Sequence, residues 1–270
     1  MLTTADKRAA FKKLHESGCF IIPNPFDVGS AKALQNLGFK ALASTSAGFA
    51  WTIAKADNRV TVDDVCDHLA AISAAVDIPV NADFEDGFAH EPDKVGINVA
   101  RAVKTGIAGL SIEDYTGDNS KPLFERELAI DRIRAARKAI DADNSGVLLT
   151  GRCEAFLRGV KDMKLVIDRL TAYAEAGADC LYAPGISTPE EIATVVKAVA
   201  PRPVNLLVGA AGPSLKIAGD LDVRRISVGG GLARTAWTGF MKASKEMAEQ
   251  GTFTEIAHGY PGGELNKMFS

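Results

Sequence analysis

The sequence predicts an α/β protein, a (β/α)8 TIM barrel spanning residues 1–270 as a single domain. Three observations carry this. Strand-like and helix-like segments alternate eight times along the chain, and such alternation implies a parallel sheet with right-handed crossovers. The length, 270 residues, is the usual size of one closed barrel. No Pro/Ser-rich linker or low-complexity tract divides the chain.

Taken in order, an amphipathic helix covers Ala5 to Ser17, ahead of the first strand, Cys19 to Pro23. The helix Val28 to Leu37 follows and stops at Gly38, as helices commonly stop at glycine. The second strand, Ala41 to Ser46, leads through a long segment, Ala47 to Arg59, to the helix Val62 to Val76. The third strand, Val80 to Glu85, runs into the turn signal Asp86-Gly87, and its helix is Lys94 to Lys104. The fourth, Gly109 to Asp114, precedes the segment Tyr115 to Phe124 and the helix Leu128 to Ala142. Val147 to Cys153 and Lys161 to Ala176 form the fifth unit, Cys180 to Ala183 and Pro189 to Val199 the sixth. Val204 to Val208 and a short helix near Leu215 to Ala218 form the seventh. Arg225 to Val228, three glycines (229 to 231) and a long helix to about Glu249 form the eighth. Inward strand positions are expected to be small or branched and apolar, as a packed barrel centre requires.

Composition narrows the partners. The chain is 47% hydrophobic and 24% charged, with a formal net charge of -3 and no basic stretch that would read as a nucleic-acid face. No apolar run is long enough to cross a bilayer, and the charged start lacks the apolar core of a signal peptide. Four scattered cysteines without CxxC spacing argue against zinc or a disulfide framework and fit a reducing cytoplasm.

Catalytic groups of such barrels gather at the carboxyl ends of the strands. There the third strand carries Asp83 and Glu85, which strand alternation would place on one face. Unpaired carboxylates so close repel one another, and a divalent cation removes the repulsion. Mg²⁺ prefers oxygen ligands, uses few direct carboxylates and keeps several waters. The fourth strand ends in Glu113 and Asp114, and Arg152 ends the fifth. Acids on neighbouring strands facing an arginine suit a metal and a small anionic substrate. Solvated helix-capping acids are the alternative reading.

In this arrangement the chain resembles the isocitrate lyase and phosphoenolpyruvate mutase superfamily, over about Asn24 to Arg234 and again at Gly263 to Phe269. The motifs are Asp83-Phe84-Glu85-Asp86-Gly87-Phe88, Ile112-Glu113-Asp114, Arg152-Cys153-Glu154-Ala155, Ser46-Ala47-Gly48, Asn24-Pro25-Phe26-Asp27 and Ser30-Ala31-Lys32. The resemblance implies Mg²⁺, with Mn²⁺ as an alternative, held directly by Asp83 and through water by Glu85 and Glu113, with Asp114 as a fourth member. It implies a 2-oxo or 2-hydroxy acid held by backbone N–H groups of Ser46, Ala47 and Gly48; Ser44 and Asn205, read from their positions at strand ends, are further candidate substrate contacts. Arg152 would pair with a carboxylate or phosphonate, which its planar fork matches. Thr52 to Arg59 would be a gating loop carrying a functional Asp57. The last barrel helix would be exchanged between subunits in a homotetramer.

One departure is informative. Isocitrate and methylisocitrate lyases carry Lys-Lys-Cys-Gly-His after the fourth strand, whereas this chain reads Tyr115-Thr116-Gly117-Asp118-Asn119-Ser120-Lys121-Pro122. The proton-transferring cysteine is missing, and alternation turns Cys153 away from the side of Arg152. Asn119-Ser120 resembles the mutase and phosphonopyruvate hydrolase loop, which makes Asn119 a catalytic candidate, but the loop is shorter and lacks the preceding lysine. The expected activity is a Mg²⁺-dependent lyase on a small 2-oxo dicarboxylate, through a metal-stabilised enolate, with oxaloacetate decarboxylation as first test. C–P chemistry on phosphonopyruvate is the alternative, then carboxyphosphonoenolpyruvate and methylisocitrate-type chemistry. A non-catalytic dicarboxylate binder is the alternative from another class.

His15 and His68 are expected on helix surfaces, His90 at a helix entry and His258 in the tail. The glycines 229 to 231 would either bind phosphate or pack closely, and Trp51 and Trp237 would be anchors or interface residues.

Overall fold

A computed structural model of the protein describes residues 2–142 and 144–270. Eight parallel strands form one sheet in the order β1-β8-β7-β6-β5-β4-β3-β2. They are β1 (Phe20–Ile21), β2 (Leu42–Ala43), β3 (Val80–Asp83), β4 (Gly109–Glu113), β5 (Leu148–Arg152), β6 (Cys180–Tyr182), β7 (Val204–Leu207) and β8 (Arg225–Ser227). The curled sheet meets itself where the Ala43 N–H donates to the Pro23 carbonyl across 3.0 Å. Asn24 ties the same seam, donating to the Ser44 carbonyl and accepting from the N–H groups of Val228 and Gly229. The expected (β/α)8 barrel is therefore the observed architecture.

Helices alternate with the strands: α1 (Thr4–Leu14), α2 (Val28–Asn36), α3 (Ser46–Thr52), α4 (Val62–Ala75), α5 (Pro92–Val103) and α6 (Arg126–Ala142) precede β5. Then come α7 (Met163–Glu175), α8 (Pro189–Val199), α9 (Leu215–Asp220), α10 (Gly231–Gln250) and α11 (Gly262–Phe269). Thr3, Asp27, Thr61 and Thr188 cap α1, α2, α4 and α8, each accepting from the third backbone N–H of its helix. The α3 helix takes Ser46, expected to end the second strand, and the first half of the long segment that follows. Its seven residues are too few to show a helical period, and Thr45 starts it by accepting from the Gly48 N–H.

Outward strand residues such as Ala82, Leu110, Ile112, Leu149, Leu181 and Leu206 join the helices in the main core. A second apolar cluster, around Phe11, Ile22, Ala41, Ala43, Ala108 and Leu148, closes the amino-terminal end of the barrel. Phe11 of α1 is fully buried there, a burial that stabilises the fold by about 2–3 kcal/mol. Gly109 permits the fit, because a Cβ at that position would lie 2.7 Å from the Phe11 ring and 2.6 Å from Asn81 Oδ1.

The barrel interior departs from the apolar centre that strand patterning predicts. Arg225, 2% exposed, donates to Asn205 Oδ1 (2.8 Å), Thr150 Oγ1 (2.9 Å) and Asn81 Oδ1 (3.5 Å). It also meets His15 Nε2 at 3.2 Å. Arginine only donates and the Phe11 carbonyl only accepts, so His15 carries its proton on Nδ1. His15 is thus not a surface residue: it packs edge-on to Phe11 and Phe20. His68 is also part-buried, stacked 4.0 Å from the Phe49 ring. No helix among the described residues is long and apolar enough to cross a membrane.

Candidate active site

Two adjoining cavities open at the carboxyl end of the strands. One, of about 170 Å³, is lined by Ser44, Ser46, Ala47, Asp57, Asp83, Arg152, Leu157, Tyr182, Asn205 and Gly230, among others. The second, of about 160 Å³, is lined by Asn58, Glu85, Asp86, Glu113 and Tyr115, among others.

Arg152 joins them. Its NH1 lies 3.2 Å from Asp83 Oδ1 and 3.0 Å from Glu113 Oε2, and its Nε donates to Glu154 Oε1 at 2.5 Å. Glu154 is fully buried and also pairs with Arg158, whose guanidinium lies 3.5 Å from the Tyr115 ring centre. The guanidinium of Arg152 is therefore fixed from behind before any ligand arrives.

Asp83 ends β3 and is oriented by two groups of the second strand and its helix. Its Oδ2 accepts from the Ser46 N–H at 3.0 Å, and its own N–H donates to Ser44 Oγ at 2.9 Å. The Ser46 N–H belongs to the first turn of α3, where unpaired backbone donors favour an anion. Glu85 reaches the site by another route than alternation. Strand β3 stops at Asp83, and Glu85 lies in the following turn with φ +45°. This left-handed backbone conformation is costly for a non-glycine residue. The turn is held by Arg132 of α6, fully buried, which donates to the carbonyls of Asp86, Ala89 and His90. Glu113 donates its N–H to the Glu85 carbonyl at 2.9 Å.

The loop after α3 closes over this cluster. Asn58 donates to Glu85 Oε2 at 3.3 Å, and Asp57 lines the same cavity as Asp83 and Arg152. Burial and the Asp83 charge raise the pKa of Asp57. Burial, then Asp83, push Glu85 up to about 8. Burial holds Glu113 well above the carboxylate range despite Arg152. Glu85 Oε1 is buried without a hydrogen-bond partner. A divalent cation fits these observations, since it would satisfy the orphaned oxygen and remove the mutual repulsion. Among the described residues no three His, Cys, Asp or Glu side chains gather closely enough to ligate an ion together.

Three expected members are not brought to the site. Asp114 is turned away and 2% exposed, with Oδ2 taken by Arg169 (3.0 Å) and Tyr173 (2.7 Å) and Oδ1 by the Glu154 N–H. The cause is alternation: Glu113 faces the barrel, so its neighbour faces the helices. Gly48 is buried in α3 with its N–H on Thr45 Oγ1, and a Cβ there would lie 2.6 Å from Thr45 Cγ2. It lets α3 pack and does not line the cavity. Asn119 is exposed and accepts from the Tyr115 hydroxyl at 2.9 Å. Its loop is closed on itself by the Tyr115–Leu123 bridge. Cys153 is fully buried in the apolar core. The Gly229 N–H is occupied by Asn24, while Gly230 lines the cavity under Trp51.

Arg132, Tyr182, Ser227 and Arg225 were not anticipated. Tyr182 and Ser227 carried a signal, since both end a strand at an inward position. Arg132, on a helix, carried none.

Fold and site together define a (β/α)8 barrel with an acid-and-arginine cluster at the carboxyl end of its strands. More specifically, the chain belongs to the phosphoenolpyruvate phosphomutase family, whose model matches residues 11–248. It is 34% identical over 224 residues to an uncharacterized protein of Mycobacterium tuberculosis (strain ATCC 25618 / H37Rv), covering 82% of this chain and 81% of the relative. It is 29% identical to the oxaloacetate decarboxylase of Pseudomonas putida (strain GB-1), over 71% of this chain and 67% of that protein. Among solved structures, a protein of Burkholderia cenocepacia J2315 described as a candidate lyase/mutase superposes with a TM-score of 0.94 at 44% identity, covering 98% and 97% of the two chains. A 2,3-dimethylmalate lyase of the PEP mutase/isocitrate lyase superfamily superposes with a TM-score of 0.87 at 25% identity, covering 100% of this chain and 95% of the other.

Proposed function

We propose that the protein is a Mg²⁺-dependent lyase that cleaves a C–C bond of a small 2-oxo dicarboxylate, in the manner of an oxaloacetate decarboxylase. The observation that carries this is the placement of Asp83, the Ser46 backbone and Arg152 around one cavity of about 170 Å³. A cavity so small suits a small organic acid. Asp83, with Glu85 and Glu113 through water, would hold the ion. Bound there, it would supply Lewis acidity to the 2-oxo group.

The chain's own residues divide the remaining work. Arg152, with NH1 and Nε committed to Asp83, Glu113 and Glu154, presents a fixed positive charge to the carboxylate at the far end of the substrate. Ser46 and Ala47, at the start of α3, face the near end. Asp57 and Asn58 shut the loop and exclude water. Departure of CO₂ breaks the C3–C4 bond and leaves its electron pair as the C2–C3 π bond of an enolate. No general base is required for that step.

The test is a screen of oxaloacetate, phosphonopyruvate and methylisocitrate for pyruvate or succinate release, with Mg²⁺ and with chelator. Pyruvate from oxaloacetate above the rate with Mg²⁺ alone supports the reading. Release only from phosphonopyruvate supports C–P chemistry, which the family description favours as second reading. Ligand-induced stabilisation without turnover of any substrate identifies a non-catalytic binder. Asp83→Ala is expected to abolish metal-dependent turnover while keeping the fold by circular dichroism, and a fully active variant removes the metal assignment.

The protein is also expected to assemble as a homotetramer with α10 exchanged between subunits. In support, α10 leaves Phe240 60% and Trp237 38% exposed, and only Ala233 and Glu246 of its twenty residues are buried. Light scattering that gives a monomer mass at micromolar concentration overturns this.

A further inference from the structure

Loss of CO₂ leaves an enolate whose C3 must gain a proton before pyruvate forms. The segment after β4 offers no cysteine or histidine, and Cys153 faces the core. The donor has to come from the lining of the substrate cavity. Serine hydroxyls there are weak acids, and Asp57, in the loop after α3, is the competing acid.

One phenol enters the same cavity. Tyr182 ends β6 beside Arg152 of β5, is 8% exposed, and its ring lies 5.2 Å from the Arg152 guanidinium carbon. Ser227, which ends β8, lines the same cavity. Arg225 donates to Asn205 Oδ1 at 2.8 Å, and the Asn205 amide donates to Ser227 Oγ at 3.0 Å. Ser227 Oγ, accepting from Asn205, keeps its own hydrogen and a second lone pair free. The hydrogen-bonded chain Arg225–Asn205–Ser227 thus reaches the cavity wall, and among the described residues Tyr182 is the one phenol of that lining, beside Arg152.

We propose that Tyr182 protonates C3, an inference that rests on the lyase reading above. The phenolic O–H bond breaks, the C2–C3 π pair forms the new C3–H bond, and C2–O⁻ becomes the carbonyl of pyruvate. The phenolate, faced by Arg152, recovers a proton from water. The hydroxide released combines with CO₂ as bicarbonate. Burial, the largest influence, pushes the phenol up to about 12, so it stays protonated and available between turnovers.

The test reads stereochemistry, which a merely structural role would not move. Oxaloacetate carrying deuterium and tritium stereospecifically at C3 is decarboxylated by the Mg²⁺-loaded enzyme, and the pyruvate methyl group is analysed for chirality. The wild type is expected to give a chiral methyl group, because a fixed donor delivers to one face. Tyr182→Phe keeps the ring over Arg152 and is expected to give a racemic methyl group, with oxalate affinity within about threefold of wild type. Asp57→Asn is expected to retain chirality. A chiral product from Tyr182→Phe, or a racemic one from the wild type, overturns Tyr182 while leaving the lyase reading intact; the wild-type result needs no variant to fold. A wild type that releases no pyruvate at all overturns the lyase reading and the proposal with it.

Discussion

Asn58 donates its side-chain amide to Glu85 Oε2 across 3.3 Å, although α4 and β3 lie between them in the chain. The contact joins the loop after α3 to the turn after β3, and it is the direct tie between that loop and the acidic cluster. Asn58 adopts φ +59°, a left-handed conformation that asparagine tolerates better than most residues. Asn58→Ala leaves Glu85 without this donor. We expect kcat/KM to fall by about tenfold, the equivalent of ~1.4 kcal/mol, with faster amide exchange across residues 53–60. Wild-type exchange in that loop would separate it from the site.

Arg152→Lys replaces a fork bound to three carboxylates by a point charge. KM for the dicarboxylate is expected to rise by about tenfold or more. Steady-state kinetics with unchanged KM would remove Arg152 from substrate binding.

Asp114 illustrates the difference between a ligand and a brace. It receives Arg169 and Tyr173 in the buried layer behind Glu154. Removing it strands a buried guanidinium. Asp114→Ala is expected to cost about 3–5 kcal/mol of stability, while Mg²⁺ affinity of the folded protein is unchanged. Denaturant titration and calorimetric Mg²⁺ binding check the two halves separately; weakened binding at full stability would return Asp114 to the metal site.

The His15–Arg225 contact gives the fold an acid limit. Burial, reinforced by the Arg225 charge, pushes His15 down to about 3, against 6.5 for a free histidine. Between these values the unfolded chain binds a proton that the folded chain refuses, so stability falls as pH drops through 6.5 and is largely retained above it. At pH 5 the loss from His15 alone is about 2 kcal/mol. His68, pushed down to about 4 by burial, acts in the same direction. His15→Gln should flatten the fall in melting temperature between pH 6.5 and 5; an unchanged slope would mean that His15 is protonated in the fold.

Much of the site was legible in residue order because a barrel converts order into position. Once eight strands are counted, Asp83, Glu113 and Arg152 must lie at one end, on neighbouring staves, facing inward. The same rule, applied one residue further, already excludes Asp114 and Cys153. Glu85 shows where alternation fails, since a backbone at φ +45° has left the strand and takes its direction from Arg132, which lies 47 residues onward on a helix. Nothing in the local sequence around Glu85 announces that arginine.

By itself the sequence determined the (β/α)8 class, the order of the units and which acids and arginine end the strands, because these follow from periodicity and alternation along a single stretch of chain. Only the tertiary structure decided that the barrel centre is built on Arg225, that Asn58 reaches Glu85, and that Tyr182 stands beside Arg152 in the cavity lining. Each of these joins groups brought together by closure of the sheet and packing of the helices, and the free energy of such a contact depends on distance in space, which local pattern does not encode.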